Sequence, residues 1–274
     1  MTESNSSHNV TTVAKKLSIQ VSLNGLSFSI LNQENQTIEA SKRMALPEGT
    51  KASAIGEELK AFFHLFDLGR EPFAEVVVIH SSPQFSLVPK SLFDPTELAH
   101  YLKLNTRIQR SDEIDYDEML HTDLVNVYVP FDGVNAYIKD LFPSVEVLHS
   151  GSILIQSLLQ MPGWDDQAKA FVNVGDRSLE LVVLKGKNLL LYNHFEYTTQ
   201  EDFLYFLLFA LEQLGLDKDQ VEVKMMGDIA EGDPLYALCD RYLKKMSIFF
   251  PKNPYQLNQN TAEDYIDFAV LSSF

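Results

Sequence analysis

A single cysteine, Cys239, stands among 274 residues. That excludes an internal disulfide framework and any cysteine-based zinc site. No apolar run approaches the roughly 20 residues that a membrane-spanning helix needs, so no membrane span is expected. Basic residues are scarce: 22 Lys and Arg face 38 Asp and Glu, a formal net charge of -16. A surface of that sign repels phosphate backbones and anionic lipid, which argues against nucleic acid and membrane surfaces as partners. The opening stretch Met1–Thr12 is polar and lacks the apolar segment of a signal peptide, so a cytoplasmic location is expected. Gly-x-x-x-x-Gly-Lys, Gly-x-Gly-x-x-Gly and Gly-x-Ser-x-Gly are all missing, which removes P-loop, dinucleotide and serine-hydrolase readings. The seven histidines form no His-x-x-x-His or His-Glu-x-x-His pattern, so no metal site is expected from spacing.

Hydrophobic residues make up 45% of the chain, enough for a substantial core. Residues 1–14, rich in Ser, Thr and Asn, read as a disordered tail. Ile19, Val21 and Leu23 then alternate with polar residues, as do Leu26, Phe28 and Ile30. Asn24-Gly25 between them is a strong hairpin signal. A third strand over Thr37–Arg43 continues the meander. Ile55, Leu59, Phe62, Phe63 and Phe66 fall at helical spacing. Ala74–His80 reads as a buried strand, Asp94-Pro95-Thr96-Glu97 as a helix start, and Leu124–Val129 as a strand. Asp132 is positioned to cap a helix through Leu141. A strand over Val145–Leu148 and a helix over Ser152–Gln160 follow.

The order then begins again. Strands are expected over Phe171–Val174, around Leu179–Val183 and over Leu189–Tyr197. Thr198 and Glu201 suit a capping box for a helix ending at Gly215. Val221–Met226 and Met246–Phe250 read as strands, with a helix from Asp233-Pro234 between them. Thr261 and Asp264 open a last helix ending near Leu271. Each half reads as strands in meander followed by strand–helix units, a duplication of pattern rather than of residue identity. Such elements imply mixed sheets covered by helices, in two α/β lobes with a cleft between them.

This organisation resembles the actin-like ATPase superfamily, a ribonuclease H-like fold of duplicated βββαβα lobes with mixed sheets. The bacterial pilus-assembly and cell-division members are the most similar. The stretch Leu124–Val183, with "VPFDGVNAYIKDLFP" and "FVNVGDRSLELVVLKGKNLLLYNHF", carries most of the likeness. An uncharacterised bacterial family with this fold is a fitting home for the chain. The resemblance implies a first lobe over about 15–165 and a second over 166–274, with the last helix, 261–272, packing on lobe one.

It also implies where ATP and Mg²⁺ would sit. The first phosphate turn falls on Ser22, Asn24, Gly25 and Ser27. The second falls on Asn173, Gly175, Asp176 and Ser178. The adenine position falls on Gly227 and Asp228. Ser22 or Asn24 stands where the superfamily has one Asp, and Asn173 where it has the other, so the charge that would hold Mg²⁺ is missing. Asp176 would repel a triphosphate. Each of these stretches also reads as an ordinary turn, with Arg177 paired to a neighbouring carboxylate. The leading expectation is therefore a degenerate, non-catalytic module that binds protein partners, with no catalytic residue and no resident cofactor. The alternative is an active or nucleotide-gated ATPase in which Asp176 serves Mg²⁺. A cleft that takes a peptide or small metabolite is a third reading.

Outside that frame, His80 and His149 end buried strands, where α/β sites collect, yet read first as hydrogen-bonded structural residues. Asp112, Glu113, Asp115, Asp117 and Glu118 read as a solvated acidic loop. Phe203, Phe206 and Phe209 spread round one helix and predict its burial on two faces.

Overall fold

The computed structural model describes residues 14–258 and 266–274. The expected tail, apart from Ala14, and the helix start at Thr261 and Asp264 lie outside the described residues.

The first half opens with the meander β1 (Lys15–Val21), β2 (Gly25–Asn32) and β3 (Thr37–Ala45). Helix α1 (Ile55–Phe66) follows, then β4 (Glu75–His80). After β5 (Phe85–Pro89), α2 (Leu98–Leu102), β6 (Asp115–Glu118) and β7 (Leu124–Tyr128) come α3 (Val134–Leu141), β8 (Glu146–His149) and α4 (Ser150–Gln160). The second half runs β9 (Ala168–Val174), β10 (Ser178–Lys185), β11 (Asn188–Glu196), α5 (Gln200–Gln213), β12 (Glu222–Gly227), α6 (Pro234–Asp240) and β13 (Met246–Ile248). The two-residue β14 (Gln256–Leu257) and α7 (Phe268–Ser272) close the described chain.

Strand order makes the duplication explicit. One sheet runs β14-β3-β2-β1-β4-β8 and another runs β11-β10-β9-β12-β13. Apart from β14, each is an antiparallel meander extended on one side by two parallel strands. The register also repeats. Val21 pairs with Leu26 and with His80, as Val174 pairs with Leu179 and with Gly227. The turn bonds match, Ser22 N donating to Gly25 O at 3.0 Å and Gly175 N to Ser178 O at 2.8 Å. Counted back from those turns, Gln20 in the first half is the counterpart of Asn173 in the second.

The first core packs α1 and α3 on one face of the first sheet, with Phe28, Phe62 and Phe66 in edge-to-face contact. The second packs α5 and α6 on the second sheet. Helix α4 lies between the sheets: Ile153 meets Val77 and Ile79, while Leu154, Ile155 and Leu158 meet Phe171 and Val182. It is buried over most of its circumference, its apolar residues facing both sheets and its buried Ser150 and Ser152 hydrogen-bonded to Glu180 and Asn126. Helix α7 joins the same interior, with Ala269 and Val270 against Val77 and Ile79 and Phe268 against Phe171.

Several local expectations are corrected. Leu124–Tyr128 joins neither main sheet; it is the centre of a third sheet, β5-β7-β6. Asp94 forms a turn onto Thr96 N at 2.9 Å, and the helix beyond it is short, starting at Leu98. Gly133 in left-handed conformation, not Asp132, caps α3. The capping box of α5 is Thr199 with Asp202, one residue beyond Thr198 and Glu201. That helix is buried on one face only: Tyr205 and Phe209 are exposed and stacked on each other at 5.6 Å.

Candidate functional site

The cleft between the two halves narrows to a cavity of about 80 Å³, lined from the first half by Gln20, Ser22, Asn24 and Arg43 and from the second by Asn173, Gly175, Asp176, Ser178 and Asp228. An adjoining recess of about 50 Å³ is bordered by Gly25, Ser27, Arg43 and Asp267. The structure thus brings the two turns to one place. Gly227 lies beneath them: a Cβ there would come within 2.8 Å of Asn173 Oδ1 and 2.3 Å of Val174 O.

The polar groups of the cleft are largely engaged with one another. The Ser22 hydroxyl closes its own turn, donating to Gly25 O at 2.8 Å and accepting from Gly25 N at 2.9 Å. Glu180, buried on β10 beside Asn173, accepts from Ser150 Oγ at 2.8 Å, Tyr192 Oη at 2.9 Å and Asn173 Nδ2 at 2.9 Å. Arg43 on β3 reaches across to Asp228, its Nη1 lying 2.7 and 2.6 Å from the two carboxylate oxygens. Arg177 meets Glu48 at 3.4 Å and Asp176 at 3.5 Å.

Among the described residues of the cleft, two buried side-chain acceptors have no partner. Gln20 donates through Nε2 to Ser81 Oγ at 3.1 Å, and its Oε1 is buried without a partner. Asn173 donates to Glu180, and its Oδ1 is likewise without a partner. Asp267, which caps α7 through Ala269 N at 2.8 Å, borders the same cavity. Burial, reinforced by the charge of Glu180, pushes its carboxyl up to about 6, against the pull of Ala269 N–H and Arg43. Among the described residues no group of three His, Cys, Asp or Glu side chains is arranged to hold a metal ion.

The engaged part of this donor set is not open to a nucleotide. A triphosphate needs free N–H and O–H donors and cationic neighbours. Here the Ser22 hydroxyl is bound within its own turn, the Asn173 amide to Glu180 and Arg43 to Asp228, and the buried groups without a partner are acceptors. Sites for drug-sized ligands run to roughly 300–1,000 Å³, several times the cavity's volume.

His80 and His149 lie outside the cavity lining. His80 Nδ1 accepts from Phe131 N at 3.1 Å and its Nε2 meets Asn135 Oδ1 at 2.9 Å. His149 Nδ1 accepts from Gly151 N at 3.0 Å, and Nε2 donates to Ser82 O at 2.8 Å. Burial pushes both imidazoles down to about 4, so both are neutral structural hydrogen-bonding groups.

The acidic run is not a solvated loop over its whole length. Its 115–118 portion is β6, and Asp117 is buried against the start of α4, accepting from His149 N at 2.8 Å. Burial pushes its carboxyl up to about 7. A raised folded pKa means the fold holds that proton more tightly than the unfolded chain, so stability falls as pH rises from about 4 through 7. The two histidines act oppositely, with stability lost as pH falls from about 6.5 towards 4. In Asp117→Asn the carboxylate contribution vanishes and the histidine contribution remains. Relative to wild type, the variant is expected to gain up to about 4 kcal/mol between pH 4 and pH 8. Paired denaturant titrations across that range check it; a stability difference that does not change with pH contradicts the assignment.

Comparisons with known proteins agree with this frame. A protein of Bacteroides thetaiotaomicron VPI-5482 with an actin-like ATPase fold and unknown function superposes with a TM-score of 0.77 at 20% identity, covering 96% of this chain and 97% of that one. The PilM-PilN type IV pilus biogenesis complex superposes with a TM-score of 0.58 at 14% identity, covering 90% and 92%. At these identities the likeness is one of fold. No curated protein matches the sequence. The family model of a protein of unknown function, DUF3822, matches residues 4–246, and the chain, with its duplicated actin-like frame, belongs to that family.

Proposed function

We propose that this protein is a non-catalytic actin-like module of the cytoplasm that binds other proteins, with lobes spanning about 15–165 and 166–274. The observation that carries the reading is Glu180. Its buried carboxylate borders the cleft and engages three donors, Asn173 in the cavity lining and Ser150 and Tyr192 behind it, and a negative charge fixed there opposes an anionic ligand. The absence of Asp at Gln20, Ser22, Asn24 and Asn173 supports the same reading, since neutral side chains leave Mg²⁺ without its charge partners. A net charge of -16 favours protein partners over nucleic acid. The fold also occurs in a two-protein assembly, the PilM-PilN complex.

A thermal-shift series with ATP, ADP and GTP, each with and without Mg²⁺, tests this. A ligand at a hundred times its Kd stabilises by about 2.7 kcal/mol, roughly 5–10 °C for a chain of this size. No shift at millimolar nucleotide is expected. A Mg²⁺-dependent shift abolished by Asp176→Ala would establish the gated-ATPase reading instead, because Asp176 is the carboxylate on the second turn that borders the cavity.

A further inference from the structure

We propose that the cleft binds a small organic cation bearing N–H donors, held by Asn173, Gln20, Glu180 and Asp267. The inference rests on the reading that no nucleotide occupies this cleft and gives the site a ligand class of its own.

Hydrogen-bond polarity points to a ligand that donates. Asn173 is 8% exposed, borders the cavity, and carries an Oδ1 with no partner. Its amide orientation is set by Glu180, since only Nδ2 can face that carboxylate. The unpartnered oxygen is therefore a property of the network. Gln20 repeats the arrangement from the other lobe: its Nε2 is engaged by Ser81, and its Oε1 is buried without a partner. Register makes these two residues equivalents in the duplicated frame, so each half places one bare acceptor on a residue that lines the same cavity. Buried acceptors without partners are uncommon and call for a donor.

The charge of the lining points to a cation. Asp176, Glu180, Glu196, Asp228 and Asp267 border the cavity, and among the described residues Arg43 is the one Lys or Arg in its lining. Arg43 is bound to Asp228 and acts on Asp267 only through its field, which leaves Glu180 and Asp267 without an ion-pair partner among the described residues. Water could donate to the two oxygens but would leave that charge in place. An ammonium carries three donors and no acceptor, and a guanidinium carries five, so either satisfies both demands at once. Arg43 already shows that the cleft accommodates a guanidinium between carboxylates. Against the roughly 30 Å³ that a water occupies, a cavity of about 80 Å³ admits a small headgroup and not a large molecule.

The test is a thermal-shift and calorimetric titration of the full chain, without nucleotide, using methylguanidinium and methylammonium. Tetramethylammonium, sodium and magnesium chlorides at matched ionic strength serve as comparisons. A saturable shift of about 5–10 °C at a hundred times Kd is expected for at least one N–H-bearing cation, and none for tetramethylammonium. Asp267→Asn keeps the helix cap and is expected to weaken binding at least tenfold. Gln20→Met removes the first-lobe acceptor and serves as the control if the first variant does not fold. No saturable shift, an equal shift with tetramethylammonium or Mg²⁺, or undiminished binding in the variants overturns the proposal. Nucleotide binding in the separate series would instead sink the non-catalytic reading, so the two failures are distinguishable.

Discussion

Replacing Gly227 by alanine is expected to destabilise the protein by about 2–6 kcal/mol, combining left-handed backbone strain with overpacking. Gly227 has φ +92°, and a Cβ there would stand 2.3 Å from Val174 O and 2.9 Å from Val174 N. Both atoms belong to backbone, so no side-chain rotation relieves the contact. They are also committed, because Val174 O accepts from Asp228 N at 2.7 Å. Gly163 supplies the comparison: its φ is +83°, yet nothing lies within 4 Å of its Cβ position. Gly163→Ala therefore carries the strain alone, about 1–2 kcal/mol. Thermal denaturation of the two variants separates backbone conformation from close packing. Equal losses would show that the contact under Asn173 relaxes freely. Gly227, a candidate for the adenine position, then has a sufficient reason to be glycine in the chain's own packing.

The frame was legible where local chemistry and periodicity agree. Asn24-Gly25 between alternating runs marks β1 and β2, and Ile55, Leu59, Phe62, Phe63 and Phe66 mark α1, because one-sided burial writes its period into the sequence. The third sheet was not legible. Strand β6 reads Asp-Tyr-Asp-Glu, and nothing local says that β7 will pair with it and bury Asp117. Strand β14 has two residues and takes its conformation from pairing with β3. In the cleft, the turns and their convergence could be read, but Gln20 and Glu180 could not. Each is the polar member of an alternating strand, which ordinarily faces solvent. Tertiary contacts turn them inward, Gln20 with Ser81 and Glu180 with Ser150 at the start of α4. A signal for Gln20 did exist: counting back from the two hairpin turns by equal steps leads to Gln20 and Asn173 together.

Truncating Glu180 is the sharpest perturbation of the cleft. Glu180→Ala is expected to cost about 3–5 kcal/mol, since Ser150, Tyr192 and Asn173 lose a charged acceptor and become buried donors without partners. Glu180→Gln should cost little. The two hydroxyls can rotate to accept from the new amide, while its oxygen accepts from Asn173 Nδ2, and the burial of a charge is relieved. Comparing the variants by denaturant unfolding therefore separates hydrogen bonding from charge. The alanine variant also leaves a small pocket of donors shaped for an anion. Millimolar acetate or phosphate should then restore part of its lost stability and leave wild type unchanged. Rescue would mean that the carboxylate occupies an anion position inherited with the frame. If anions do nothing, Glu180 is only a local strut, and the reading of this cleft as closed to phosphate by its own side chain loses its main support.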